Sequence, residues 1–479
     1  METYLRVLSD EDRDQVHEST LKILAKTGVK VDTEIGRQYL RKAGAEVNED
    51  TKNVRFPRDL VEEALELAPK EFSLGARRPG WDLPMNQGDC TLMSDGEGIT
   101  VIDRKTGEHR PTTFTDWLES TRLIDALDEI GVYWSMVETG KREDTISDSV
   151  HYWSQVFANF SKHVQDSSSR AERSPWLLEV LQVVFGDKKT IRQLHPLSFL
   201  ICPDSPLTID AQHTDAYLAL KGWDIPVAVM PMPLMGGTGA GNMISMTIQG
   251  NCEVISTLCL IQATDPGTPF IYAPALAVMN PRTGMLSAGA IESALLSSAA
   301  IEMARYYGLP VEGTGGGTDT YSPGIQASYE RAMSFLIPML SWPDLMVGCG
   351  LLGGSMILSL EQLVIDAEIF RMAKQAHRGI LTHKEMWLDD VIQRVGPGGN
   401  YLGEKSTVAN VRSGEWLIPD IGVHESQKAW ENAGKVDILE EARAKVEHLL
   451  STHKPLPLGE DIEKELKVIQ KRAQESSDG

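Results

Sequence analysis

Hydrophobic and polar positions divide the chain into stretches of different period. At the N-terminus the period is helical. Ser9 caps a predicted helix over Asp10–Lys26, with Val16, Ile23 and Leu24 on one face and Gly28 ending it. A short strand at Val29–Val31, a helix over 33–43 stopped by Gly44, and a helix over 57–68 with Leu60, Ala64 and Leu67 in register follow. Residues 72–110 break into short strands and turns, including a hairpin-like run at 100–107. Beyond them, apolar runs of strand length alternate with segments of helical period. The predicted strands lie around Val101 and at 131–137, 163–166, 198–202, 226–231, 269–273, 309–313 and 345–350. The predicted helices lie near 115–127, 148–160, 175–185, 208–221, 243–262, 289–307, 326–340 and 358–376. Eight such pairs predict an α/β chain folded as a (β/α)8 TIM barrel; a doubly wound sheet is the alternative. The organisation expected is an N-terminal helical and small β extension over 1–110, the barrel core over 111–395, and a C-terminal loop and helical extension over 396–479.

Three glycine-rich runs sit at the ends of predicted strands, at residues 235–242, 313–319 and 348–354. In a barrel the loops after the strands form one face, so these runs share one mouth. Glycine there lets backbone N–H groups approach a ligand closely. Gly348-x-Gly350-x-x-Gly353 has the form of a dinucleotide fingerprint. The stretch after it reads as one helix, without the second strand and acidic residue that NAD binding requires.

Other candidates each have a structural and a functional reading. His163 sits at a strand end with Gln165 and Asp166, where a structural histidine is the commoner case. Asp95 and Glu97 are either paired carboxylates or part of a turn. Asn251 and Glu253 interrupt an apolar helix, as buried hydrogen-bonding groups do. Tyr133, Trp134 and Tyr272 are strand aromatics, suited to the core or to a cage for a quaternary ammonium. The histidines are dispersed and no Cys/His cluster, H-E-x-x-H or G-x-S-x-G motif is present, so no metal site and no nucleophile elbow is expected.

Composition narrows the partners. The 479 residues are 42% hydrophobic, enough for a large core, and the net charge is −22. An acidic surface of this size disfavours nucleic acid and anionic membranes. Five scattered cysteines without a C-x-x-C pair suggest reduced thiols in a cytoplasmic protein. No signal peptide and no apolar run of about 18 residues is seen, so no membrane span is expected.

Several segments then appear in one order: Cys202-Pro-Asp-Ser-Pro-Leu207, Asn251-Cys-Glu-Val254, Ala304-Arg-Tyr-Tyr-Gly-Leu-Pro310, Thr318-Asp319, Gln326-Ala327 and Leu360-Glu-Gln-Leu-Val-Ile-Asp366. In this order the chain resembles the trimethylamine methyltransferase family of corrinoid-dependent enzymes, and 361–366 is the most specific stretch. The resemblance spans nearly the whole chain. It implies a barrel that passes a methyl group from an amine to the Co(I) of a corrinoid (cobalamin) on a separate partner protein, with no tightly bound cofactor of its own. A homo-oligomer is expected.

Counting back from Gln326-Ala327 and Asp319, the family's pyrrolysine position falls on Gly316. The chain thus looks like a non-pyrrolysine member, the kind that demethylates quaternary amines, glycine betaine above all, giving dimethylglycine. A quaternary ammonium already carries an activated leaving group, because losing a methyl releases a neutral amine. On this reading the catalysis is positioning. Tyr272, other aromatic walls, and Asp95 or Glu138 would hold the fixed charge. His163 and the backbone of Gly313, Gly315, Gly316 and Gly317 would meet the substrate carboxylate. Gly316 would face free space, so a large side chain there would block binding and spare the fold. Carnitine, proline betaine or choline is the alternative substrate, and a non-catalytic quaternary-amine binding protein the alternative class.

Overall fold

The computed structural model describes residues 3–139, 145–168 and 170–477. Eight parallel strands form its central sheet: β1 (Thr91–Ser94), β2 (Ile130–Tyr133), β3 (His163–Asp166), β4 (Leu197–Ile201), β5 (Val227–Val229), β6 (Phe270–Tyr272), β7 (Glu312–Thr314) and β8 (Leu345–Cys349). They neighbour one another in the order β6-β5-β4-β3-β2-β1-β8-β7. The Tyr272 N–H donates to the Pro310 carbonyl at 2.9 Å, and a parallel bridge joins Tyr272 to Val311, which brings β6 back to β7. The fold is the (β/α)8 barrel that the alternation predicts.

One strand differs from expectation. The first barrel strand is Thr91–Ser94, paired with β2 on one side and β8 on the other, and not the run around Val101. Thr100–Ile102 pairs with His109–Pro111 and with Ile357–Leu358 in a small sheet beyond the strand ends. The turn at 103–107 draws residues 100–102 into that local hairpin, whereas Leu92, Met93 and Ser94 are buried. The barrel sheet therefore begins upstream of residue 111.

A helix follows each strand: α1 (Phe114–Ala126), α2 (Ile146–Asn159), α3 (Ser174–Phe185), α4 (Gln212–Leu218), α5 (Met243–Thr264), α6 (Ile291–Tyr306), α7 (Ile325–Met339) and α8 (Leu360–Arg378). Side-chain oxygens of Thr113, Thr145, Asn242 and Ser359 cap the N-termini of α1, α2, α5 and α8, satisfying amides that have no partner within the helix. Helix α4 is shorter than its pattern because Thr208–Ile209 pairs with Val29–Val31 instead.

Strand alternation sorts the core in two. Outward residues such as Leu92, Phe199 and Phe270 pack with the surrounding helices. Inward residues such as Met93, Val132, Leu200, Ile271 and Leu345 form a separate interior cluster. The hairpin of Ser73–Leu74 with Leu83–Pro84 closes the end where the strands begin: Leu74 and Met85 join the interior cluster, and the Gly75 N–H bonds to the carbonyl of His195, just before β4. The N-terminal helices Asp10–Lys26, Glu34–Lys42 and Arg58–Leu67 cover α5. That helix is apolar and long enough to cross a membrane, but 78% of its apolar window is buried in the protein. The C-terminal helix Ile438–Thr452 packs on α1 and α8, and Glu460–Ser477 on α2 and α3.

Candidate active site

The open end of the barrel holds a cavity of about 470 Å³. Its walls are inward strand residues, Met93, Trp134, Gln165, Leu200, Glu312 and Val347 among them. Leu234, Ala277 and Leu286 close over it from the small sheet formed by the loops after β5 and β6. All three glycine runs follow strands β5, β7 and β8 at this end, as expected.

Glu312 is the unusual group. The period of two along β7 points Glu312 and Thr314 inward and leaves Gly313 facing Ile301 of α6. Glu312 is 1% exposed. Its Oε2 accepts a hydrogen bond from Gln165 Nε2 at 3.0 Å. Its Oε1, like the Oε1 of Gln165, has no protein partner. Burial pushes the carboxyl up to about 7, against the smaller opposing effect of the Gln165 bond.

A second carboxylate, Asp95, extends from the end of β1. It accepts from the Gly96 N–H at 2.9 Å and from the Ser355 hydroxyl. Desolvation raises it, and these two bonds offset part of the rise. Just after β4, burial pushes the Cys202 thiol up to about 12. Among the described residues, those lining the cavity include no Lys, Arg or His. Two carboxylates, one indole and the thioethers of Met93, Met230 and Met232 in a largely apolar wall suit a cation held by an electrostatic field.

The sequence-predicted residues divide cleanly. Asp95, Gly315 and Gly317 line the cavity. Tyr272 does not: it points out of the barrel, and its hydroxyl donates to Asn251 Oδ1 on α5 at 2.9 Å. His163 opens β3 and faces the floor, bonded to the Gly75 carbonyl at 3.0 Å and Ser198 Oγ at 2.9 Å, with burial driving its imidazole down to about 3. Glu138 is exposed outside the cavity, its N–H donating to the Gly98 carbonyl. The Thr314 and Gly315 amides are already engaged, with Ser297 Oγ and the Val347 carbonyl.

Gly316 also departs from expectation. It adopts φ +60, and a Cβ there would lie closer than 3.0 Å to the Gly348 carbonyl and the Phe335 ring. The glycine is required by loop-on-loop packing, and a side chain at this position meets the core and not free space.

Sequence reading missed Glu312 and Gln165. The signal was a lone acid closing the apolar run 308–312, and a glutamine two places after His163 on the same strand face. The polar residues of the family segments take structural roles. Asn251 Nδ2 donates to Thr20 and Tyr307, and Glu253 accepts from Ser205 Oγ and the Leu207 N–H, pinning the loop after β4. Asp366 accepts from Arg331 at 2.6 Å and from the Gly350 N–H at 2.7 Å, both bonds fully buried.

Known proteins match this sequence along its length. The model of the family described as trimethylamine methyltransferase matches residues 2–477. The chain is 30% identical to a trimethylamine methyltransferase of Desulfitobacterium hafniense, covering 96% of this chain and 92% of that one. It is 29% identical to a glycine betaine methyltransferase of D. hafniense strain Y51, covering 97% and 96%. The crystal structure of the Methanosarcina barkeri monomethylamine methyltransferase is similar with a TM-score of 0.48 at 12% identity, covering 92% of this chain and 93% of that one. A match that runs from the N-terminal helices through the barrel to the last helix leaves one assignment: the chain belongs to the trimethylamine methyltransferase family.

Proposed function

We propose that this protein demethylates a quaternary ammonium compound, glycine betaine in the first instance, and transfers the methyl group to Co(I) of a corrinoid carried by a partner protein. The observation that carries this reading is the cavity itself: an apolar chamber with the buried carboxylate of Glu312 on its wall and no described basic side chain. A trimethylammonium group matches it in charge, and the Trp134 indole lines the same chamber. Asp95 supplies a second negative charge at the cavity wall.

The corrinoid, when bound to its own protein, supplies a Co(I) nucleophile that accepts the methyl. The residues at the mouth fit such a visitor. Met232 and Leu286 line the cavity and are also 57% and 42% exposed, an apolar surface suited to the face of a macrocycle. This chain's task is to hold the ammonium, keep one methyl toward the opening, and exclude water. The anionic end of a betaine is repelled by Glu312 and Asp95 and so is directed away from them.

The same wall favours a second substrate, a choline-type cation with no carboxylate, because no described basic side chain is there to pair with an acid. The deciding experiment mixes the protein with Co(I)-cobalamin and follows the cobalt spectrum with glycine betaine, choline and trimethylamine. Methyl transfer from a quaternary amine is expected, with dimethylglycine formed from glycine betaine. Strong transfer from trimethylamine with none from any quaternary amine would overturn the proposal. Binding of quaternary amines without any transfer would identify a binding protein.

A further inference from the structure

We infer that Glu312, braced by Gln165, exchanges a proton for the charge of its ligand: on the acid side of neutrality the free cavity holds the neutral acid, and a quaternary cation converts it to a carboxylate–ammonium pair. This deepens the quaternary-amine reading and rests on it.

The geometry carries the argument. Gln165 serves Oε2 of Glu312, while Oε1, on a side chain that lines the cavity, has no protein partner. The groups that share the cavity wall and floor with Glu312 offer no balancing charge. From β3 come Gln165 and, one step lower, the neutral His163; after β4 comes the Cys202 thiol; after β1 comes Asp95, itself an acid. From β6 and β8 come Ala273 and Val347 of the interior cluster. An ionised carboxylate taken out of water with no partner carries a desolvation penalty, and a neutral acid avoids it. Burial accordingly places the titration of Glu312 at about 7. A permanent cation beside it reverses the balance, because an opposite charge favours the ionised form.

The sign follows. Below about 7 the acid is protonated, and a cation must displace that proton to bind. Affinity for a permanent cation therefore rises with pH, roughly tenfold per unit, and levels off once the free carboxyl is ionised. Asp95 differs, because Ser355 and Gly96 already donate to its carboxylate.

The test uses the full-length protein and tetramethylammonium chloride as the probe, without corrinoid. Calorimetric titrations in two buffers of different ionisation enthalpy give the number of protons released. Close to one proton per cation is expected at pH 6 and close to none at pH 8. Glu312→Gln should weaken binding at pH 8 by tenfold or more and flatten the pH profile, with the thermal midpoint unchanged or raised. If that variant does not fold, the proton count of the parent decides alone. The inference is overturned by cation binding at pH 6 with no proton release, by a Glu312→Gln variant that keeps the parent profile, or by failure of the cation to bind at any pH. It is also overturned if Asp95→Asn alone abolishes the profile. Because no methyl acceptor is present, these outcomes are separate from the cobalt assay. Transfer from betaine can stand while proton exchange fails, and the reverse.

Discussion

Replacing Gly316 with alanine tests how the loop after β7 is built. Gly316 has φ +60, where an L-residue costs about 1–2 kcal/mol. Its Cβ would enter the space of the Gly348 carbonyl and the Phe335 ring. Neither neighbour has room to yield. Phe335 is fully buried and packs edge-on against Phe370 with ring centroids 6.3 Å apart, and Gly348 sits directly against the Gly315 carbonyl. Overpacking of this kind costs about 1–3 kcal/mol. Together the two effects amount to about 2–5 kcal/mol, a large part of the roughly 5–15 kcal/mol that holds a folded protein. Gly316→Ala should therefore lower the thermal midpoint markedly, and Gly316→Leu should fail to fold. Thr314→Val is the control: Thr314 lines the cavity, so this change should leave the midpoint nearly unchanged and alter tetramethylammonium binding. The measurement is thermal unfolding of all three variants, with calorimetric titration of those that fold. A Gly316→Ala protein as stable as the parent would refute the reasoning and return position 316 to the cavity wall.

Three further outcomes are expected. Arg331→Met leaves Asp366 buried without its counter-ion and should cost about 3–5 kcal/mol in denaturant unfolding, and the Arg331→Met/Asp366→Leu double variant should stay destabilised, because the Gly350 N–H and Gln362 Nε2 lose their buried acceptor; a single variant as stable as the parent contradicts this. Trp134→Leu should weaken tetramethylammonium binding by about 0.5–2 kcal/mol in calorimetry. Tyr272→Phe should leave that binding untouched while costing about 1–3 kcal/mol of stability, because Asn251 Oδ1 loses its donor.

Most of the barrel was legible because strands buried on both faces read as largely apolar runs, as at 197–201 and 345–349. Strand β1 was not, because its four residues compete with a better-signalled hairpin that begins at Thr100. The site was harder for a different reason. On a strand a shift of one residue changes the face. Tyr272 and Ile271 look equally inward in the sequence, yet Ile271 joins the interior and Tyr272 turns to Asn251. The acid that matters in the cavity, Glu312, stood in plain view at the end of its run, but nothing local distinguishes an inward glutamate from an outward one.

Apart from Cys202, the polar residues of the segments that carry the family resemblance lie behind the cavity wall, and their chemistry explains why. Glu253 of α5 holds Ser205 and Leu207 after β4; Glu330 of α7 holds Thr318 and Asp319 after β7; Asp366 of α8 holds Gly350 after β8. Each is an acid on a helix whose carboxylate accepts bonds from the loop at the mouth. Hydrogen bonds to charged groups contribute about 1.5–3 kcal/mol each, so these acids fix where the loops stand. Met93 and Trp134 contribute to the wall and to none of these three clamps. Changing a clamp moves a loop and threatens the fold. Changing Trp134 or Glu312 alters the charge and shape that a ligand meets while the frame stays in place. Specificity in this chain is therefore expected to reside in the inward strand positions, and variants at those positions should change which cation binds before they change stability.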